Sequence, residues 1–344
     1  MSAPATPPIV IWGAGAIGGT IGAYLIRAGH DVLFVDQDAD HVAAINARGL
    51  AIEGPIEQFT VPAKAALPAD VAGSFPLVML CVKAQHTLGA ARDIAPHLAA
   101  DGYIASFQNG LNELEIESVV GRSRTMGAFL NFGADYLSPG VIHFGGRGAV
   151  VLGELDGEIT ERLQHLHAIM RIFEPNAITT TEIFGYLWGK LGYGALLFAT
   201  ALTNASICDA LGAAEAHPLY SAIAAESVRV ADALGHVPLG FNGYEPAAFR
   251  PDATQEARDA SFAAMVAHNA KSAKTHSGIW RDLAVRKRRT EADAQLGPIC
   301  SFGAQQGIAT PATAGLIAMI HEIEDGVRPL DWRNIGELSA RVLP

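Results

Sequence analysis

Residues 9–36 read IVIWGAGAIGGTIGAYLIRAGHDVLFVD: an apolar run, a glycine-rich turn, a helix-like stretch and a second apolar run closed by a carboxylate. In Gly13-x-Gly15-x-x-Gly18, the first glycine allows a tight turn, the second lets backbone N–H groups approach a pyrophosphate, and the third packs the helix on the strand. The helix N-terminus adds positive potential for phosphates. Asp36 ends the second run, where a carboxylate can accept hydrogen bonds from ribose hydroxyls. We therefore predict a dinucleotide-binding βαβ unit rather than an ordinary tight turn.

The rest of the chain divides in two by pattern. Apolar strand-like runs alternate with helical stretches up to about residue 183, as in a doubly wound parallel sheet. From residue 184 to about 214 the chain is apolar, rich in Ala and Leu and free of Pro, which predicts a long helix. We expect an α/β protein with an N-terminal Rossmann-type sheet over residues 1–183 and an all-helical substrate and catalytic domain over 184–344. The substrate is expected in the cleft between them. Individual strands are predicted at 77–82, 103–107, 125–130, 149–153 and 177–181, with an edge hairpin at 140–146 and a helix at 158–173.

Composition excludes several classes of protein. The 344 residues are 50% hydrophobic and carry a net charge of −11, which argues against a general nucleic-acid binder. No apolar run is long enough to span a bilayer, and residues 1–8 resemble a short flexible lead rather than a signal peptide. Cys81, Cys208 and Cys300 are too few and too scattered for a disulfide framework or a zinc site. We expect a cytoplasmic protein with no metal, no membrane association and no nucleic-acid partner.

Lys190 is the most unusual charged residue. It is the only basic residue between Ile183 and Cys208, within an apolar helical stretch. A charge there is costly unless it is solvated or paired, so it indicates a cleft or a buried partner. The alternative is a lysine that extends along the helix edge to solvent. Gly192 and Gly194 follow at once, which predicts a close approach to this helix or a kink in it.

Other polar residues have both a functional and an ordinary explanation. Lys83 and Asn109 follow two predicted strands, where they suit a cofactor ribose or a substrate carbonyl; a solvated lysine and an Asn-Gly turn are the alternatives. Thr290 is expected to cap a helix with Glu291 in its first turn, where an acid is favourable by itself. Ser277 and Asp282 are equally ambiguous. The basic run 286–289 is expected to be a solvated turn, although it could attract anionic substrates.

Together these motifs resemble the ketopantoate reductase family, also called 2-dehydropantoate 2-reductases. The resemblance covers nearly the whole chain and depends on the order and spacing of its pieces. These are Gly13–Gly19, Cys81-Val82-Lys83-Ala84, Gln108-Asn109-Gly110-Leu111, Pro139-Gly140 before Val141-Ile142-His143, Trp188-Gly189-Lys190-Leu191, Ser277–Asp282, Arg289-Thr290-Glu291 and Gly307–Pro311.

The resemblance implies roles. Lys190 is expected to be the general acid that protonates the substrate carbonyl as hydride arrives, and Glu291 to assist at the reacting oxygen. The cofactor is expected to contact Gly13, Ala14, Gly15, Ala16, Ile17, Gly18, Asp36, Lys83, Asn109 and Ala134. The substrate is expected to contact Asn109, Lys83, Tyr193, Gly194, Phe198, Ser277 and Gly278.

The chain departs from the family at two points. Gly194 and Phe198 stand where the family has asparagines that grip the substrate, and Asn204 is too far along a continuous helix to replace them. Gly278 falls at a substrate serine, with Ser277 beside it. We therefore expect a larger, more apolar substrate than ketopantoate. Asp36, with no Lys or Arg between Arg27 and Arg48, favours NAD(H) over NADP(H), unless it merely caps the following loop.

The sequence thus favours a nicotinamide-dependent 2-oxo-acid reductase, acting on a small molecule and expected to be a homodimer. A second hypothesis is a dehydrogenase that oxidises a hydroxy acid or sugar acid. A third is a non-catalytic regulator that senses the nicotinamide pool, although the presence of both Lys190 and Glu291 argues against it.

Overall fold

The computed structural model describes residues 7–271 and 274–343. Contacts between Cα atoms divide the chain into two compact units, Met1–Ile183 and Phe184–Pro344. Most of the predicted flexible lead, residues 1–6, lies outside the described residues.

The first unit is built on one large sheet. Its strands are β1 Ile9–Trp12, β2 Val32–Val35, β3 Leu50–Glu53, β4 Phe59–Val61, β5 Lys64–Ala66, β6 Phe75–Leu80, β7 Leu98–Ser106, β8 Thr125–Ser138, β9 Val141–Glu154 and β10 Ile178–Thr179. They lie in the order β4-β3-β9-β8-β7-β6-β1-β2-β5, and β10 pairs with β9. The segment from β8 through β7, β6, β1 and β2 to β5 is parallel throughout. The predicted Rossmann-type fold is therefore confirmed.

Part of the sheet is antiparallel, which the strand pattern did not predict. The expected strands at 125–130 and 149–153 and the expected edge at 140–146 belong to one long β8–β9 hairpin that turns at Pro139 and Gly140. β3 and β4 also pair in an antiparallel manner, and β3 runs parallel to the first residues of β9, Val141 to His143. The chain thus extends its parallel sheet into a mixed one beside the first helix.

Residues of the central strands alternate between two cores, since side chains on a strand point to opposite faces. Ile11 and Met79 join the core that contains helix α1, whereas Val10 and Val78 join the core on the opposite face. Because both faces are buried, these strands are nearly continuously apolar, as is typical of parallel sheets.

Helices surround this sheet and form the regular structure of the second unit. In the first unit they are α1 Ala16–Arg27, α2 Ala39–Arg48, α3 Thr87–Ile94, α4 Glu113–Val120 and α5 Glu161–Phe173. From the boundary onward they are α6 Ile183–Thr200, α7 Ile207–Gly212, α8 His217–Ala233, α9 Gln255–Asn269, α10 Gly278–Trp280, α11 Ala292–Gln305, α12 Pro311–Glu324 and α13 Arg333–Val342. A π-helical turn, Arg281–Arg286, follows α10. In the described part of the chain, no helix combines the length and apolar character that a membrane span requires.

The predicted helix over 184–214 was too long. α6 ends at Thr200, where the backbone tightens: the amides of Leu202 and Thr203 bond to carbonyls three residues earlier. The Thr200 and Thr203 hydroxyls also bond to nearby carbonyls, so they compete with the continuing helical ladder. Asn204 therefore lies beyond the helix, and the expectation of one continuous helix from Lys190 to Asn204 was wrong.

Candidate active site

The glycine-rich turn connects β1 to α1 at the carboxyl edge of the parallel strands. Gly13 has φ +104°, and a Cβ atom on it would lie 2.7 Å from the backbone of Cys81 and Val82. A Cβ on Gly18 would lie 2.1 Å from the Gly13 carbonyl oxygen. Both positions therefore require glycine for the turn itself. A Cβ on Gly15 would meet nothing within 4 Å, so open space lies over this residue.

The start of α1 suits a dinucleotide pyrophosphate. Gly15 is the N-cap of α1; it has no capping side chain, and the first turn contains no acidic residue. The first N–H groups of a helix point away from it along its axis and favour an anion. With open space over Gly15, the backbone of residues 13–18 fits a phosphate-bearing cofactor.

Asp36 is held against this turn. Its Oδ2 accepts a hydrogen bond of 2.8 Å from the Ala14 N–H, and its Oδ1 accepts one of 3.0 Å from the Asp38 N–H. Asp38 in turn caps α2 by accepting from the Asp40 and His41 N–H groups. Asp36 therefore does stabilise the following loop, and at the same time its half-buried carboxylate stands beside the glycine-rich turn. The two explanations offered for this residue are compatible.

Lys83 and Asn109 lie at the same sheet edge, because β6 and β7 are parallel neighbours. Both side chains are exposed. Lys83 stands just before a short 3₁₀ turn, and Asn109 precedes Gly110, which has φ +101°. Ala134 lies elsewhere in the unit: it is half-buried in the β8–β9 hairpin, opposite Phe144.

A buried chain of polar side chains joins the two loops that carry Lys83 and Asn109. Gln108 Nε2 donates to the Val82 carbonyl and to Thr87 Oγ1, both at 2.8 Å. Thr87 Oγ1 donates to Asn112 Oδ1 at 2.9 Å, and Asn112 Nδ2 donates to the Asn109 carbonyl at 2.6 Å. Each group gives its hydrogen to the next, so the network has one consistent direction. Gln108, Thr87 and Asn112 are buried, so breaking one bond would leave a costly unpaired group.

In the second unit, Lys190 lies on the partly exposed stripe of α6. Tyr186, Lys190, Gly194 and Leu197 are half-exposed at spacings of three and four residues, and the other residues of α6 are buried. These four residues share one face of the helix. Lys190 therefore has access to solvent on a helix that is otherwise part of a core.

The glycines of α6 have two different surroundings. A Cβ on Gly189 would lie 1.9 Å from the Leu239 carbonyl oxygen, and one on Gly192 would lie 2.4 Å from the Tyr244 hydroxyl. The predicted close approach is thus found on this side of the helix. A Cβ on Gly194 meets nothing within 4 Å. Gly194 therefore leaves free volume one turn after Lys190.

Two expected substrate residues lie in the core instead. Phe198 has no exposed surface, and Leu197 takes the half-exposed place beside it. Two of the expected substrate positions were four and eight residues after Lys190. With 3.6 residues per turn, the exposed stripe instead continues three residues after Gly194, at Leu197. Tyr193 is buried against Phe241, its hydroxyl accepts a bond of 2.8 Å from Asn269, and burial raises its pKa. Phe198 and Tyr193 are thus placed to support α6 rather than to contact a ligand.

Ser277 and Gly278 also differ in placement. Ser277 is buried, and its hydroxyl caps α10 by accepting from the Trp280 N–H at 3.1 Å. Gly278 is half-exposed, with no atom within 4 Å of a Cβ built on it. Gly278 is therefore the open position of the pair, and Ser277 has a structural role.

The basic run 286–289 is largely neutralised. Asp282 accepts hydrogen bonds from Arg286 and Arg288 at 2.9–3.0 Å. Arg289 pairs with Glu324 at 2.9 Å and with Asp325 at 2.6 Å. All four residues of the run are exposed, as expected of a solvated turn, and these ion pairs in addition hold the turn before α11.

Glu291 stands one position earlier than expected. α11 begins at Ala292, so Glu291 is its N-cap, and its side chain makes no capping hydrogen bond. The preceding Thr290 is fixed by Glu324, which accepts from its N–H and its hydroxyl at 2.7 Å. The half-buried carboxylate of Glu291 is therefore positioned by its neighbours without serving to cap its own helix.

Family comparisons agree with this arrangement. The family model for ketopantoate reductase PanE/ApbA matches residues 9–157, and the model for its C-terminal part matches residues 182–324. The chain belongs to the ketopantoate reductase family of oxidoreductases. The resemblance seen in the sequence is thereby confirmed.

Individual ketopantoate reductases are distant in sequence. A 2-dehydropantoate 2-reductase of Pyrococcus horikoshii is 30% identical over 183 residues, which are 53% of this chain and only 59% of that protein. One of Archaeoglobus fulgidus is 26% identical over 93% of this chain and 98% of its own length. A PanE/ApbA family ketopantoate reductase structure from Ralstonia eutropha has 28% identity and a TM-score of 0.77, covering 93% of this chain and 99% of its own. D-mandelate dehydrogenase with NADH and anilino(oxo)acetate shares the fold, with a TM-score of 0.79 at 22% identity over 93% and 99% of the two chains.

Sequence reasoning missed the residues that support the site. Thr87, Asn112 and His41 are buried polar residues that bond to the expected site loops. Each lies in or beside a helix start, where a polar residue is ordinary. Apart from the bond between Asn112 and the Asn109 carbonyl, their partners are 21 to 99 residues away along the chain, so no local signal distinguishes them.

Proposed function

We propose that this protein reduces the carbonyl of a small 2-oxo acid with hydride from a nicotinamide cofactor, with Lys190 as the general acid. We propose that residues 1–183 bind the cofactor and that residues 184–344 carry the catalytic groups. The position of Lys190 is the main support, because it lies on the half-exposed stripe of an otherwise buried helix. Free volume at Gly194 follows one turn later.

The chemistry requires an acid, because hydride addition to a ketone places negative charge on the carbonyl oxygen. When bound, the nicotinamide ring supplies the hydride. The Lys190 ammonium donates a proton to that oxygen, which becomes the hydroxyl of the product. We propose that Glu291 assists at the same oxygen, accepting a hydrogen bond from the hydroxyl once Lys190 has donated its proton. Lys83 and Asn109 are proposed to contact the cofactor and substrate.

The cofactor is proposed to be NAD(H). The Asp36 carboxylate stands beside the glycine-rich turn and can accept hydrogen bonds from both ribose hydroxyls. A 2′-phosphate there would face Asp36 with Asp38 and Asp40 nearby, and no Lys or Arg occurs between Arg27 and Arg48. Repulsion between these carboxylates and a 2′-phosphate would favour the cofactor that lacks the phosphate.

The substrate is proposed to be bulkier and more apolar than ketopantoate. Gly194 supplies space where the family has an amide, and Leu197 presents an apolar side chain on the same stripe. A polar substrate group left unpaired in such a site would cost about 1–3 kcal/mol. We propose that Gly278, where a Cβ would meet no atom within 4 Å, also leaves room for this larger substrate.

A panel of 2-oxo acids, including ketopantoate, with NADH and NADPH tests the proposal. We expect turnover of a branched or aromatic 2-oxo acid with NADH and a low kcat/KM for ketopantoate. Gly194→Asn, whose side chain enters free volume, should raise kcat/KM for ketopantoate. Efficient ketopantoate reduction by the natural chain would contradict the substrate proposal.

The same panel separates the other hypotheses. Turnover of hydroxy acids with NAD⁺ but of no 2-oxo acid with NADH would favour an oxidative dehydrogenase. Cofactor binding without any turnover would favour a nicotinamide-sensing regulator. The expected homodimer and the expected cytoplasmic location stay predictions, the first testable by light scattering of the purified protein.

A further inference from the structure

His41 links two distant parts of the first unit. It lies in the first turn of α2 and is only 1% exposed. The Gly140 N–H donates to its Nδ1 at 2.9 Å, and its Nε2 lies 2.9 Å from the Ala14 carbonyl oxygen. Gly140 is in the turn of the β8–β9 hairpin, and Ala14 is in the glycine-rich turn.

The two bonds determine the tautomer of the ring. A backbone N–H can only donate, so Nδ1 must accept and carries no hydrogen. The hydrogen of the neutral imidazole therefore lies on Nε2, and it is donated to the Ala14 carbonyl. Both ring nitrogens are used, and neither can change role without losing a bond.

Ala14 is consequently held on both sides. Its N–H donates to Asp36 and its carbonyl accepts from His41. In a trans peptide, the N–H of the next residue lies in the plane of this carbonyl and points the opposite way. Fixing the Ala14 carbonyl therefore fixes the direction of the Gly15 N–H, at the residue over which the space is open.

The hairpin side is held equally well. Tyr136 of β8 packs edge-to-face on the His41 ring, with centroids 5.0 Å apart, and its hydroxyl donates to Asp38 at 3.4 Å. Burial, followed by the charge of Asp38, raises the pKa of Tyr136 to about 12, so it remains a donor at neutral pH. Arg48 donates to the Pro139 carbonyl. Hairpin, α2 and glycine-rich turn thus form one connected assembly.

We infer that His41 is a positioning residue for the cofactor: through Ala14 it sets the orientation of the backbone N–H groups that receive the pyrophosphate. The inference rests on the proposed binding of a nicotinamide dinucleotide by this turn. His41 touches no reacting atom, so its loss should weaken cofactor binding and leave the rate of the saturated enzyme unchanged.

Three substitutions separate the two bonds. His41→Gln carries an amide N–H that reaches about as far as Nε2, so it can keep the bond to Ala14. His41→Asn places its amide oxygen near the position of Nδ1, so it can keep only the bond to Gly140. His41→Phe keeps the ring that packs on Tyr136 and loses both bonds. His167→Phe is the matched control, because its Nε2 bonds to the Ala177 carbonyl at 2.7 Å elsewhere in the same unit.

The dissociation constant for NADH, measured by quenching of protein fluorescence or by calorimetry, is the readout. We expect it to rise roughly five- to tenfold in His41→Asn and His41→Phe, to stay near the natural value in His41→Gln, and to be unchanged in His167→Phe. kcat at saturating NADH should be unchanged in all four variants. If the His41→Phe variant does not fold, the comparison of His41→Gln with His41→Asn carries the test.

Two results would overturn the inference and are distinguishable from failure of the proposed function. Equal NADH affinity in His41→Asn, His41→Gln and the natural protein would show that the bond to Ala14 does not matter for binding. An equal loss in His167→Phe would show a general effect on stability. If the natural protein binds neither NADH nor NADPH, the proposed function fails and the inference falls with it.

Discussion

Glycine is required for different reasons in two regions of this protein, the turn into α1 and the middle of α6. Gly18, in the first turn of α1, is required by the Gly13 carbonyl oxygen of the same βαβ unit, and Gly13 is required by its φ of +104° and by the backbone of Cys81 and Val82. Gly189 and Gly192 in α6 are required by Leu239 and Tyr244, about 50 residues along the chain. The first pair forms a recognisable motif, whereas the second pair only signals that something is close. Sites built from backbone can thus be predicted from spacing, and sites built on a helix face require the tertiary structure.

The largest expected effect lies on that helix face. Lys190→Met retains the alkyl stem and removes the ammonium, so we expect kcat to fall by about 10²–10⁴. The dissociation constant for NADH should change little, because the glycine-rich turn is untouched. Lys287→Met, at an exposed position, is the control. A near-natural kcat in Lys190→Met would contradict the assignment of Lys190 as the general acid.

Glu291→Gln should give the second largest effect. Glu291 stands at the N-terminus of α11, where an acid is worth at most about 1 kcal/mol, so its loss should change the unfolding free energy little. We expect kcat to fall at least about tenfold with a nearly unchanged melting temperature.

Glu226→Gln provides the opposite case in the same unit. Glu226 is buried and accepts from the Ala312 N–H and from the Thr313 N–H and hydroxyl, at 2.7–2.8 Å. Its substitution should lower the melting temperature with little effect on kcat in the folded fraction. A Glu291 variant that behaves like Glu226→Gln would show that Glu291 serves the fold.

The sequence was sufficient for the fold because parallel strands and the glycine-rich turn leave local, periodic signals. It predicted an edge hairpin at 140–146 but did not reveal that this hairpin extends over all of β8 and β9, since the register that joins Ala128 to Leu152 has no local mark. It placed Phe198 in the site because the pattern from Lys190 gave a spacing but no exposed side. The tertiary structure buries Phe198 and leaves Leu197 half-exposed on the stripe of Lys190 instead.

The end of α6 is a further example. Apolar composition continues past Thr200, so the pattern predicted one helix, yet threonine hydroxyls and i to i+3 bonds close it. Polar support of the site was equally hidden. The sequence marks Asn109, but its carbonyl is held by Asn112 and indirectly by Thr87, both of them unremarkable by position.

The preference for NADH over NADPH tests the glycine-rich turn and Asp36, the part of the site that residue spacing predicts. KM should be at least about tenfold lower for NADH than for NADPH. Asp36→Asn can keep one bond to the backbone and removes the charge, so it should reduce this discrimination by about tenfold. Asp40→Asn, at an exposed residue of α2, should have a smaller effect. A natural preference for NADPH would contradict the role of Asp36.

The smallest expected effect tests whether the buried network of Gln108, Thr87 and Asn112 aligns the loops that carry Lys83 and Asn109. Thr87→Val keeps the side-chain volume and removes the hydroxyl between Gln108 and Asn112. The loops with Lys83 and Asn109 should then lose their mutual alignment, and we expect kcat/KM to fall about three- to tenfold. Thr87→Ser should restore it. Thr125→Val is the matched control: Thr125 is also fully buried in this unit, and its hydroxyl donates to the Gly121 carbonyl, away from these loops. Both valine variants should lose similar unfolding free energy, so an equal loss of kcat/KM in both would assign the network to stability alone.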